Sequence, residues 1–131
     1  MLAPMAGYSD KPFREIVREW GADYAVAEMT ASREDLRCRA KSLTRWVERD
    51  EPGLHVVQLL GADPVVMAEA AKAAEDDGAD VLDINMGCPA KKVLNTDCGS
   101  ALIKNECLTA EILEAVRAAV EIPVTLKIRT R

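Results

Sequence analysis

The chain has 131 residues, the length of one domain with a sizeable core. Apolar residues make up 49% and charged residues 30%, which fits a folded globular protein and excludes a disordered or low-complexity chain. The net charge of −5 gives no support for a broad nucleic-acid-binding face, and no apolar run approaches the ~20 residues of a membrane helix.

No signal-peptide pattern opens the sequence. The four cysteines, Cys38, Cys88, Cys98 and Cys107, form no CxxC and have no histidine at ligand spacing. No metal site and no disulfide is expected from them, and a reducing, cytoplasmic setting is. Basic residues cluster at Arg33, Arg37, Arg39, Lys41 and Arg45, at Lys91 and Lys92, and at Lys127, Arg129 and Arg131. On composition alone these are solvated helix faces and a chain end.

In chain order, residues 1–6 read as a short strand running into a turn at Gly7 and Tyr8, with Ser9 or Asp10 to cap a helix. Phe13, Ile16, Val17 and Trp20 recur at helical spacing as one apolar stripe, and Gly21 stops that helix. Tyr24–Met29 reads as a second strand, with Glu28 and Met29 at its carboxyl end. Residues 32–49 read as one or two helices with Leu36, Leu43, Trp46 and Val47 as the apolar positions. Asp50 to Gly53 make a turn.

Leu54–Leu60 is a third strand, apolar apart from His55 and Gln58. His55 has no ligand-spaced partner and reads as structural; Gln58 either satisfies a backbone group or faces a ligand. Asp63 followed by Pro64 opens a helix with Val66, Ala70, Ala73 and Ala74 on its inner face, and Gly78 closes it. Asp80–Asn85 is a fourth strand. Thr109 reads as the cap of the next helix, with Leu108 and Leu113 as a hydrophobic staple and Ile112, Val116 and Val120 facing inward. Pro123–Ile128 is a fifth strand.

Strands alternating with helices at this rhythm predict crossovers and a parallel sheet. Met5, Glu28, Gln58, Asn85 with Cys88, and Lys127 with Arg129 all fall at carboxyl ends of successive strands. Those ends converge on one face of a parallel barrel, where active sites lie. The first turn, PMAGYSD, lacks the glycine signature of a dinucleotide fold. The expected fold is therefore α/β, a partial TIM (β/α)8 barrel with about five parallel strands. Its focal stretch is Asp83–Val93, DINMGCPAKKV, in which an apolar strand breaks at Gly87 and presents Cys88 on a turn fixed by Pro89. Spacing alone leaves two roles for that cysteine open, chemistry or corner packing.

Five segments in order, LAPMAGYSDKPFR, AEM, VQLLG, DINMGCPAKKV followed by GSAL, and VTLKIRT, give a resemblance that covers essentially the whole chain. The sequence resembles the tRNA-dihydrouridine synthase family, and within it the bacterial B-type branch. DINMGCPAKKV is the specific segment; LAPMAG and VTLKIR are shared more widely among flavin-binding barrels.

The resemblance implies an FMN enzyme that reduces uridine to 5,6-dihydrouridine in tRNA, with NADPH recharging the flavin. It assigns Pro4, Met5, Ala6, Gln58 and Lys127 to the flavin, Cys88 to proton donation, and Asn85 and Arg129 to the target uracil. The residue types suit that chemistry. Saturating the C5–C6 bond takes a hydride and a proton, and a thiol of ordinary acidity, pKa about 8.5, is mostly protonated at pH 7. A lysine at the pyrimidine edge favours an anionic reduced flavin, and a glutamine can bond that edge in either orientation. The uracil must leave its stack to be reached. Cys98, just before GSAL, reads as a packing substitution.

The sequence also departs from the family. A full barrel takes roughly 200–250 residues, and the flavin phosphate site, a histidine–glycine–arginine segment and the C-terminal helical tRNA-gripping domain have no counterpart here. Met1 abuts LAPMAG without a lead-in, and Arg131 stands where the family has glycine. Residues 1–131 are thus expected to be the N-terminal portion of the barrel, inactive alone, weak in FMN binding, and prone to self-association through open sheet edges. Two other readings remain: an FMN oxidoreductase of free pyrimidines, and a non-catalytic half-barrel.

Overall fold

The computed structural model describes residues 1–37, 45–46 and 50–130. Leu43, Val47, Cys38 and Arg131, named above, lie outside them, as does most of the helical expectation over residues 32–49. What is described of that stretch begins with the one-turn helix α2, Glu34–Arg37.

Among the described residues four strands form one parallel sheet in chain order: β1 (Thr30–Ala31), β2 (Val56–Leu60), β3 (Val81–Met86) and β4 (Val124–Ile128). Helix α1 (Lys11–Glu19) precedes them, and α3 (Pro64–Asp76) and α5 (Glu106–Ala119) make the crossovers. A one-turn helix α4 (Lys91–Leu94) and a 3₁₀ helix (Gly99–Lys104) lie between β3 and α5. The expected first strand is reduced to a parallel bridge from Leu2 to Ala25.

Alternation along the strands divides the sheet into two unlike faces. Val57, Leu59, Leu82, Ile84 and Met86 point one way and pack on Met67, Ala70, Ala71 and Ala74 of α3 and Ile112 and Val116 of α5. The alanines let α3 lie close to the sheet, and this layer is the main core. Gln58, Asp83, Asn85, Thr125 and Lys127 alternate with those residues and share the other face. That face is concave. Three strand spacings in a flat sheet cover ~14 Å, yet the Tyr24 hydroxyl lies 3.4 Å from Thr125 Oγ1 on β4. The sheet therefore curls as a barrel wall does.

The second strand differs from its expected form. Val26 bridges Val56 and Thr30 pairs with Leu59, so four steps on one strand match three on the other. The extra residue is a bulge in the 27–29 region, and it moves the regular pairing beyond the expected Tyr24–Met29 span.

Helix starts follow capping chemistry. Asp10, rather than Ser9, caps α1 by accepting from Phe13 N, and Asp63 caps α3 from Val65 N and Val66 N. Gly21 and Gly78 end their helices as expected, each followed by a residue whose N–H reaches back five positions, Ala22 to Val17 and Ala79 to Ala74. The cap of α5 is Asn105, one turn earlier than Thr109, and accepts from Leu108 N at 3.1 Å. Thr109 instead donates to Leu102 O at 2.9 Å, tying α5 to the 3₁₀ helix.

The apolar stripe of α1 is not buried. Ile16 is 53% and Trp20 87% exposed, whereas Arg14 on the same helix is 3% exposed. Ion pairing with Glu51, discussed below, decides which side of this helix turns inward. His55 is structural, with Nε2 2.9 Å from Glu51 O.

Candidate active site

At the carboxyl ends of β2, β3 and β4 the concave face opens into a cavity of about 400 Å³. Pro4 and Ala6 of the first loop, Gln58, Asn85, Cys88, Lys127 and Arg129 all line it. Gly87, Pro89 and Met29 complete the nearer wall, and Ile128 and Thr130 the rim. Met5 does not line it: its side chain is 39% exposed, and its role lies in the backbone. Met5 N donates to Ser9 Oγ at 2.9 Å, and that hydroxyl donates back to Met5 O at 3.1 Å, which closes the first loop. The buried Glu28 carboxylate accepts from Gly7 N at 2.8 Å and pairs with Arg45 at 3.1 Å, so the bulge holds the loop from its other side.

The cysteine turn is gripped at both of its backbone polar groups. Asn85 Oδ1 accepts from Cys88 N at 3.0 Å and from Gly87 N at 3.2 Å. Cys88 O accepts from Ser100 N at 3.1 Å and from Ser100 Oγ at 3.2 Å. That approach requires Gly99, whose φ is +63° and where a Cβ would stand 2.7 Å from Cys88 O and 2.8 Å from Val93 Cγ1. A Gly99→Ala change is expected to cost about 1–3 kcal/mol through backbone strain and to displace Cys88. Urea unfolding checks the first effect, and the rate of Cys88 labelling by a thiol reagent the second.

Gln58 and Asn85 face each other within the site. Asn85 Nδ2 donates to Gln58 Oε1 at 2.9 Å and lies 3.7 Å from Met29 Sδ. Gln58 Nε2 donates to Asp83 Oδ2 at 2.6 Å. Lys127 is half-buried, with Nζ donating to Ile128 O at 3.3 Å, and Arg129 is exposed; both line the cavity. Lys91 and Lys92, on α4 just past Pro89, are exposed.

Behind the first loop, Arg14 donates to Ser9 O at 2.8 Å through Nη1 and to Glu51 Oε1 at 2.8 Å through Nε. Its Nη2 and Arg18 Nη1 also pair with the Glu51 carboxylate. Burial opposes ionisation of Glu51, but hydrogen bonds from Arg14 and Arg18, with their charges, outweigh it and hold the carboxyl below its ordinary 4.5. The loop that lines the cavity thus rests on a buried ion pair.

Comparison with known sequences places this site in context. The family model described as dihydrouridine synthase (Dus) matches residues 1–131. The chain belongs to the dihydrouridine synthase family. It is 53% identical over 130 residues to tRNA-dihydrouridine synthase B of Proteus vulgaris, 52% to that of Pseudomonas aeruginosa and 53% to that of Xanthomonas campestris pv. campestris. Each match takes in 99% of this chain and 39–40% of the relative. The chain thus spans about two fifths of the length of the curated relatives it matches.

Several residues of this dihydrouridine synthase chain were not singled out from the sequence. Asp83 and Thr125 underlie Gln58, Ser100 grips the cysteine turn, and Arg14 supports the first loop. Asp83 did carry a signal: a carboxylate inside the apolar run VLDINM needs a buried partner. Cys98, expected to pack, is 7% exposed and donates to Thr96 O at 3.1 Å. Among the described residues no cluster could hold a metal ion, and no helix is long and apolar enough to cross a membrane.

Proposed function

We propose that residues 1–131 supply the first half of a flavin barrel that reduces uridine to 5,6-dihydrouridine in tRNA, with FMN as cofactor and NADPH as reductant. The observation that carries this reading is the convergence of Gln58, Asn85, Cys88, Lys127 and Arg129 with the first loop on one cavity. The lining fits a flat, polar-edged ring: it combines the amides of Gln58 and Asn85 and the ammonium of Lys127 with the small residues Pro4 and Ala6. Pro4 and Ala6 would hold the ring through the first loop, which Met5 closes on Ser9, and Gln58 and Lys127 would meet its polar edge.

The flavin, when bound, supplies a hydride to one uracil carbon; Cys88 supplies the proton to the other. The backbone grip on Cys88 fixes where that proton is delivered. Asn85 keeps an N–H that meets only Met29 sulfur, a weak acceptor, and that N–H with Arg129 is assigned to the uracil. Exposed Lys91 and Lys92 lie where a polyanion would approach, which supports tRNA rather than a free base as the substrate. A tRNA substrate implies a cytoplasmic setting.

The test is a chimera in which this chain replaces the matching segment of the Pseudomonas aeruginosa relative. It is expected to form dihydrouridine in unmodified tRNA and to leave free uracil unreduced. Turnover of free uracil alone would assign the site to a free-pyrimidine reductase, and no turnover of either by a flavin-loaded chimera would make the chain a non-catalytic half-barrel. The 131-residue chain by itself is expected to bind FMN more weakly than micromolar and to associate through its open β4 edge and the exposed face of α1; flavin titration and sedimentation check both.

A further inference from the structure

Beneath the cysteine turn lies a row of side chains in which the proposed chemistry uses only Gln58 and leaves Asp83 and Thr125 without a role. Gln58, Asp83 and Thr125 are register partners on β2, β3 and β4, so their side chains leave the concave face side by side. The row is bonded from end to end. Thr125 Oγ1 donates to Asp83 Oδ1 at 2.7 Å, and Gln58 Nε2 donates to Asp83 Oδ2 at 2.6 Å. Asp83 is 5% and Gln58 1% exposed.

The bonds carry a direction. A primary amide can be turned end for end with little change in shape, so neither Gln58 nor Asn85 has a preferred orientation of its own. A carboxylate only accepts, and it therefore draws the NH₂ end of Gln58. Gln58 Oε1 is left facing Asn85 and draws the NH₂ end of that amide in turn. Asn85 Oδ1 is then the end that remains for Gly87 N and Cys88 N. Were Asn85 reversed, two N–H donors would face its NH₂ group and the turn would lose both bonds.

We propose that Asp83 is a positioning residue: fixed by Thr125, it sets the polarity of a Gln58–Asn85 relay and thereby holds the two amides that place Cys88. Gln58, at the flavin edge of the proposed site, and Cys88, at its acid, are then two ends of one device. The catalytic consequence rests on Cys88 being the proton donor; the relay itself does not, and it can be read without flavin.

The experiment is amide hydrogen exchange by NMR on the full 131-residue chain, comparing Gly87 and Cys88 with amides of α5 such as Val116. Gln58→Glu sets two acceptors against each other across the 2.6 Å contact, which drives the side chain at position 58 off Asp83 and takes with it the oxygen that Asn85 Nδ2 meets. It is expected to speed exchange at Gly87 and Cys88 by roughly 3- to 10-fold, the equivalent of one net hydrogen bond, with Val116 unaltered. Adding Asp83→Asn restores a donor opposite the carboxylate introduced at position 58, while Thr125 still donates to the asparagine oxygen. In this double variant the protection of Gly87 and Cys88 is expected to return. Asp83→Leu removes the polarity altogether and is expected to expose the same two amides; should it unfold the chain, the paired exchange at positions 58 and 83 still decides. A merely structural row would change all amides together. Wild-type exchange at Gly87 and Cys88 in Gln58→Glu, a double variant no better than the single, or a uniform change reaching Val116 would each overturn the proposal.

Discussion

Replacing Cys88 by alanine in the chimera is expected to lower dihydrouridine formation by roughly 10²–10⁴-fold, the span supplied by one positioned acid. The substitution isolates the proton from the loop. What holds residue 88 is its own N–H on Asn85 Oδ1 and its own carbonyl under Ser100, and alanine keeps both. Loss of activity would therefore not mean loss of the turn. Nucleoside mass spectrometry of the tRNA product reads the effect, and the flavin content of the purified protein separates a missing acid from a missing cofactor. Dihydrouridine formation at the parent rate would remove Cys88 as the donor.

The largest effect on stability is expected at Glu51. Its carboxylate is the shared partner of Arg14 and Arg18, and Arg14 has almost no access to water. Glu51→Gln leaves a buried guanidinium without its counter-charge, at a cost of about 3–5 kcal/mol. That is a large part of the stability of a domain this size. The pH dependence has a definite sign. Because the folded state lowers this carboxyl below 4.5, the unfolded chain binds the proton first. The contribution is complete above the ordinary value and is lost as pH falls through the lowered one. Urea midpoints should show the gap between parent and variant widest at neutral pH and closing as the solution is acidified below 4.5. A gap that stays constant would mean that packing, not charge, sets the cost.

The parts of this fold that could be read in the sequence are those decided by near neighbours. β2, β3 and β4 announce themselves as short, mostly apolar runs between helix and turn signals, β2 interrupted only by Gln58. Helix α3 does so through Asp63 with Pro64 at one end and Gly78 at the other. Where distant partners decide, the sequence is silent or misleading. The apolar stripe of α1 reads as a core face, but Arg14 turns inward because Glu51, 37 residues away, receives it. Asn105 and Thr109 are both competent caps one turn apart, and the carbonyl of Leu102 settles which is used. The site follows the same division. Cys88, Gln58, Lys127 and their neighbours can be named from strand ends and motif. Asp83 and Thr125 acquire a role only once the register of three strands is known.

The bulge before β1 bears on how chain length can vary in this protein. Removing one residue between Val26 and Thr30 would give a more regular pairing with β2, and by the usual measure a better strand. It would also leave two residues where the bulge holds three, with only one of them on the concave side of the sheet. Glu28 at Gly7 and Met29 at the cavity could then not both keep their places. A gap placed here in an alignment would be felt not as a shorter second strand but as a first loop that has lost its brace.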